Sequence, residues 1–290
     1  MTQPRVLILQ ATGTNRDGDA AYAVELAGGL PDVLHVNQLR DAPSKLHSYQ
    51  MLVLPGGFSY GDALGAGRLL AVDMRWLFQD ALAGFVEAGK PVIGICNGFQ
   101  ALVKSGWLPG PAEAAQQGRG LLQDAMPPGR SPSPRATLTR NVSNRFECRW
   151  VWLRADADSP CVFTKNVTEL ITCPVAHGEG RFVPAGGTVS EASDEGRQDG
   201  ATLASLRAHN QIALTYVSAD GGPAIYPDNP NGSTADIAGI CNRAGNVFGL
   251  MPHPEDHVLP WQHPRAARGE AGGSGLVLFE RGIHYASQVS

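Results

Sequence analysis

Three side chains in this sequence are of types that could form and break an acyl bond together: Cys96, His253 and Glu255. Cys96 sits in GICNGFQ, where Gly94 and Gly98 flank it in the G-x-nucleophile-x-G pattern. Small neighbours there let a strand bend sharply into a helix and lift the central side chain clear of the backbone. A cysteine at a helix N-terminus meets unpaired N–H groups and the positive end of the helix dipole, both of which favour thiolate. A cysteine nucleophile also needs a base, a group to orient that base, and donors for the oxyanion. In PHPED, Pro254 biases His253 toward an extended backbone, and residues two apart in an extended segment point the same way. Glu255 is thereby expected beside His253, fixing its tautomer as the acid of a triad does. The donors are expected to be the backbone N–H of Asn97, directly after the nucleophile, and of Gly57 in the turn PGG. From these residues alone two readings of Cys96 stay open, a nucleophile or a buried free cysteine closing an interior strand. Likewise His253 is either the base or a surface histidine in a salt bridge.

Those groups need elements to hold them. The pattern predicts a strand over Arg5–Gln10, a polar turn TGTNRDGD, and a helix stopped by Gly28 and Gly29. Further strands are expected at residues 33–36 and 50–54, the latter ending in Pro55, Gly56 and Gly57. One long helical stretch follows at 64–88, and then the strand that carries Cys96. Short apolar strands alternating with helices, each closed by glycine or a polar turn, predict an open parallel sheet with helices on both faces. In such sheets ligands lie at the carboxyl ends of the strands, where both PGG and Cys96 fall. Residues 109–134 lose apolar periodicity to proline, glycine and serine and read as an exposed insertion. From Arg145 onward the chain is strand-rich, with loops expected at 187–200 and 227–233 and a last helix at 274–287.

The 290 residues suffice for one large α/β domain or two small ones. A formal net charge of −4 and the lack of a basic tract argue against general nucleic-acid binding. The apolar stretch of MTQPRVLILQ is too short for a signal peptide, and no run reaches membrane-spanning length. Five cysteines with no C-x-x-C pair argue against a disulfide frame and a zinc knuckle, so a reducing cytoplasm is the expected home. His177 with Glu179, and the cluster His253, His257 and His263, match no standard zinc spacing; no metal site is expected. Neither TGTNRDGD nor LPGGFSYGD ends in G-K-[ST], so no nucleotide-binding phosphate loop is expected in this chain.

GICNGFQ, LPGGFSYGD and PHPE together resemble the class I, triad-type glutamine amidotransferases. The segments TGTNRDGDAAYAVELAG, NVSNRFECR, AHGEGRF and NPNGS narrow the resemblance to the glutaminase subunits of phosphoribosylformylglycinamidine synthases, which serve purine biosynthesis. The resemblance implies a flavodoxin-like α/β fold: an open, mostly parallel doubly wound sheet with a strand-rich second half, forming a single amidotransferase domain over 1–290. It implies that Cys96 attacks the carboxamide of glutamine, that His253 acts as base and then as acid, and that Glu255 orients His253. It places the oxyanion hole at Gly57 and Asn97, and glutamine binding at Gln100, Asn144, Arg145 and Phe146. No cofactor is implied in this chain; ATP and Mg are expected on a partner synthetase subunit, with a small third subunit joining the two.

The chain departs from the family pattern at the 109–134 insertion and in a long tail after Glu255, which resembles the end of the large fused enzyme. The first strand begins close to Met1, and a separate subunit of unusual length is the expectation. Arg16 stands where the family often has cysteine, and the sequence assigns it no role. Three rivals share parts of the pattern: an amidotransferase of another pathway, a cysteine hydrolase of similar architecture, and a silent scaffold. FSYGD, AHGEGRF and NPNGS argue against the first. Asn97, where such hydrolases commonly carry histidine, argues against the second.

Overall fold

The structure, a computed structural model, describes residues 3–110, 135–185, 201–269 and 273–289. The expected insertion at 109–134, apart from 109 and 110, and the expected loop at 187–200 lie outside the described residues. In chain order the elements are β1 (Arg5–Gln10), α1 (Asp17–Leu26), β2 (Leu30–His35), α2 (Val36–Asp41), β3 (Met51–Leu54), α3 (Arg68–Trp76), α4 (Gln79–Glu87), β4 (Val92–Ile95) and α5 (Asn97–Ser105). There follow β5 (Ala136–Thr139), β6 (Glu147–Ala155), β7 (Ile171–His177), β8 (Arg181–Pro184), α6 (Ala201–Ala208), β9 (Ile212–Val217), β10 (Ile237–Cys241), β11 (Val247–Leu250) and α7 (Leu276–Ala286).

Nine strands form one sheet in the order β2-β1-β3-β4-β11-β10-β9-β6-β7, and β5 pairs with β8 in a separate two-stranded sheet. The first five strands in that order run parallel. The remaining strands, β10, β9, β6 and β7, are added antiparallel. Every residue of β3, β4 and β11 is buried, as continuous apolar runs must be when both faces of a sheet are covered. Edge strand β2 shows the opposite pattern, with no fully buried residue. Around this sheet α1 packs against α7, and α3 packs against α5.

The predicted helix at 64–88 is two helices. Phe78 leaves helical geometry (φ −123°, ψ 4°). It is buried, whereas Trp76 is 80% exposed. The chain turns there with Phe78 packed into the core. Strand β5 and helix α6 had no counterpart in the sequence reading, because each is short and follows a stretch without apolar period. No helix among the described residues is long and apolar enough to cross a membrane.

The register of three central strands decides where the chemistry sits. Leu54 of β3 lies opposite Gly94 of β4, and Leu250 of β11 lies opposite Ile95. The carboxyl ends of β3, β4 and β11 therefore deliver the PGG turn, Cys96 and the segment to His253 to one place.

Candidate active site

Strand β4 ends at Ile95, α5 begins at Asn97, and Cys96 makes the whole turn at φ 49°, ψ −101°. A non-glycine residue held there stores about 1–3 kcal/mol of strain, which persists only where the surroundings fix it. They do so here: Cys96 N–H donates to the carbonyl of Leu250 at 2.8 Å, and the packing behind the turn is tight. A Cβ on Gly98 would run into the carbonyl of Leu54, and one on Gly94 would stand 2.8 Å from the Gly98 carbonyl. The two glycines thus let α5 cross the strands at backbone contact. Gly98→Ala is expected to cost about 3 kcal/mol, the upper end for overpacking, because the obstructing atoms are backbone and cannot swing aside. Chemical denaturation would read this as a lower midpoint at unchanged slope, and a loss under about 0.5 kcal/mol would show the crossing to be loose.

His253 enters from β11. Its backbone N–H is fixed by the Pro174 carbonyl of β7 at 2.8 Å. Its ring Nδ1 pairs with Glu255 Oε1 at 2.7 Å, and both side chains are buried. The route by which Glu255 arrives differs from the expected extended one. Residues Pro254–Asp256 form a 3₁₀ turn, so Glu255 folds back onto the ring instead of lying along a strand. His253 Nε2 has no conventional hydrogen-bond partner among the described residues, and the group bearing on it is the Cys96 thiol. A Cβ built on Gly56 would lie 2.7 Å from His253 Cε1 and 3.5 Å from Cys96 Cβ, so ring, thiol and PGG turn converge on one point. Burial works against charge on His253, but the Glu255 carboxylate and Cys96 outweigh it and hold the imidazole well above the usual histidine range.

Both expected oxyanion donors lie in this neighbourhood. Asn97 is the first residue of α5, where a backbone N–H has no helical acceptor. Gly57 follows Gly56 at φ +126°, with its missing Cβ leaving room for Asn15. The FSYGD segment secures Asn97: its Oδ1 accepts from Ser59 N–H at 3.3 Å and from the Ser59 hydroxyl. Its Nδ2 donates to Asp62 Oδ1 at 2.9 Å and to Gln100 Oε1 at 3.2 Å.

The expected glutamine contacts divide. Gln100 is buried with its amide engaged at both ends, Nε2 donating to the Glu179 carbonyl at 2.7 Å. Asn144, Arg145 and Phe146 are exposed, with the Phe146 ring close to Gly178.

Two residues near the site were not given a part by the sequence. His177, at the end of β7, is buried with neither ring nitrogen hydrogen-bonded among the described residues. Burial, then the neighbouring His253, pushes its imidazole down to about 4, so it stays neutral near neutral pH. Arg16 bridges Asp19 at 3.1 Å and Asp256 at 3.2 Å, tying the start of α1 to the turn that carries Glu255. Asp256 is pushed up to about 6 by burial and then by Glu255, against which Arg16 and His253 pull. The contact that ties Arg16 to the site lies 240 residues away in sequence.

The histidines weighed as metal ligands have other company. His257 and His263 pack edge-on against Trp150, with ring centroids 5.1 and 4.6 Å away. His253, Glu255 and Asp256 bring ligand atoms within 4.8 Å of one another, but the first two pair with each other and the third with Arg16.

The chain as a whole is similar to known proteins. A family model for the CobB/CobQ-like glutamine amidotransferase domain matches residues 3–286. The phosphoribosylformylglycinamidine synthase subunit PurQ of Treponema denticola is 47% identical over 288 residues, covering 98% of this chain and 99% of the relative. The subunit of the same name from Dehalococcoides mccartyi is 40% identical over 292 residues, covering 100% of both chains. Among solved structures, a chain of PurLQS from Thermotoga maritima superposes with a TM-score of 0.65 at 30% identity, covering 98% of this chain and 99% of that one.

Proposed function

The chain belongs to the CobB/CobQ-like glutamine amidotransferase family, and from that premise we propose that it is the glutaminase subunit of phosphoribosylformylglycinamidine synthase. The observation that carries the chemistry is the line Cys96, His253, Glu255 at the carboxyl ends of adjacent parallel strands β4 and β11. End-to-end similarity to PurQ subunits supports the pathway. On this reading the whole span 1–290 acts as one amidotransferase domain, and the five cysteines suit a reducing cytoplasm.

Glu255 holds Nδ1 of His253, which leaves Nε2 to take the thiol proton of Cys96. The sulfur attacks the carboxamide carbon of glutamine, and the N–H groups of Gly57 and Asn97 receive the oxyanion. His253 returns its proton to the departing nitrogen, releasing ammonia and leaving a thioester on Cys96. Water then adds to the thioester, giving its proton to His253. Collapse expels the Cys96 sulfur and frees glutamate.

Ammonia passes to a synthetase subunit that holds ATP and Mg and amidates formylglycinamide ribonucleotide, with a small third subunit assisting assembly. The test is glutamate release from glutamine by the purified chain, alone and then with the synthetase subunit, ATP and formylglycinamide ribonucleotide. The expected result is low activity alone and clear stimulation by the partners. Vigorous hydrolysis indifferent to them would remove the pathway from the proposal, and no hydrolysis in either condition would leave a scaffold.

A further inference from the structure

Three stretches of the sequence, 141–149, 176–182 and 229–233, supply no bond-making group to the mechanism, yet they lock together beside Cys96. Asn141 is buried and spends its polar groups on one loop. Its N–H donates to the Gly178 carbonyl at 3.0 Å, its Nδ2 donates to the His177 carbonyl at 2.8 Å, and its Oδ1 accepts from Gly180 N–H at 3.0 Å. Nδ2 also donates to the Arg145 carbonyl at 2.9 Å, closing its own turn. Asn231, also buried, donates through Nδ2 to the Gly180 carbonyl at 2.8 Å and to the Tyr216 hydroxyl at 3.0 Å. Its own carbonyl accepts from Val142 N–H at 3.1 Å, which joins the two asparagine turns. Gln100 takes the remaining carbonyl, that of Glu179.

Four consecutive carbonyls, 177 to 180, are therefore each held by a residue from a different part of the chain than the loop itself. A surface loop of four residues has no need of this; buried donors so placed fix one conformation where water would allow many. The loop begins where β7 reaches the site: the Cys96 thiol lies 4.0 Å from the Ala176 carbonyl, and His253 hangs from Pro174.

We infer that Asn141 and Asn231 are positioning residues for the glutaminase reaction, holding the 177–180 loop as a fixed wall beside Cys96. The inference rests on the amidotransferase reading and adds to it two residues that touch none of Cys96, His253 and Glu255. A loosened wall costs the enzyme its grip on the substrate and leaves the thiol and its base as they were.

The experiment uses the assembled synthase with Asn141→Ala and, separately, Asn231→Ala. For each, the KM for glutamine, ammonia-dependent synthesis, and alkylation of Cys96 by iodoacetamide are measured. The expected result is a rise in KM of about tenfold or more, with alkylation and ammonia-dependent rates within about twofold of wild type. Asn141→Asp keeps the acceptor for Gly180 N–H but lacks the donor for the His177 carbonyl, and is expected to match the alanine variant. If Asn141→Ala fails to fold, Asn231→Ala carries the same expectation, because it severs only the Gly180 carbonyl, Tyr216 and Ser233 contacts. An unchanged KM, or a raised KM accompanied by parallel losses of alkylation and thermal midpoint, would overturn the inference. A wild-type complex that does not use glutamine would overturn the amidotransferase reading and the inference with it.

Discussion

Cys96→Ser is expected to lower glutamine-dependent synthesis by the assembled complex about 10⁴-fold or more, with ammonia-dependent synthesis unchanged. The two arms separate because ammonia bypasses the glutaminase and reaches the synthetase directly. The size of the effect follows from His253. Its Nδ1 is held by Glu255, and its Nε2 takes the proton of the nucleophile. A thiol yields its proton to that imidazole readily, whereas a serine hydroxyl is far less acidic and yields it poorly. The serine fits the strained turn, since oxygen is the smaller atom and the sulfur's contact with the Ala176 carbonyl, at 4.0 Å, is weak. Folding and assembly should therefore survive, and size-exclusion chromatography of the complex checks this. Glutamine use within tenfold of wild type would remove Cys96 from the chemistry.

The parts of this site that could be read from sequence are those whose cause is local. Gly94 and Gly98 announce a sharp strand-to-helix turn because only glycine permits the crossing at Leu54. The PGG turn ends β3 for a similar reason, and apolar runs bounded by such turns gave the strands of the parallel half. His253 and Glu255 were placed together correctly but by the wrong conformation, because a proline after histidine restrains His253 and says little about the turn that follows. What could not be read is long-range. Nothing in residues 247–250 shows that β11, after four antiparallel strands, returns to lie parallel to β4, yet that return brings His253 to Cys96. The grips of Asn141 and Asn231 span 36 to 51 residues, and nothing in the residues beside them in sequence shows what they hold. Arg16 has the same character, its use depending on Asp256 at the far end of the chain.

Glu255→Gln is expected to lower glutamine-dependent kcat/KM about 10²–10⁴-fold and to move the alkaline limb of its pH profile toward lower pH. The substitution keeps the volume and an oxygen near His253 Nδ1 but removes the charge. In the wild type burial lowers the His253 pKa, and Glu255 is the foremost group raising it. Without that carboxylate the burial effect dominates and the imidazole gives up its proton at lower pH. The departing nitrogen needs that proton, so activity falls earlier as pH rises. The same coupling fixes the sign of the stability change. A histidine whose folded pKa is raised adds stability fully present below the unfolded value of about 6.5, and lost as pH rises through the folded value. The deficit of Glu255→Gln relative to wild type should therefore be largest below about pH 6.5 and shrink as pH climbs. Urea denaturation at a series of pH values reads the stability difference, and glutaminase rates over the same series read the limb. A limb that stays in place while the rate falls would mean that Glu255 orients the ring without setting its charge; a limb that moves upward would contradict the electrostatic account of the pair.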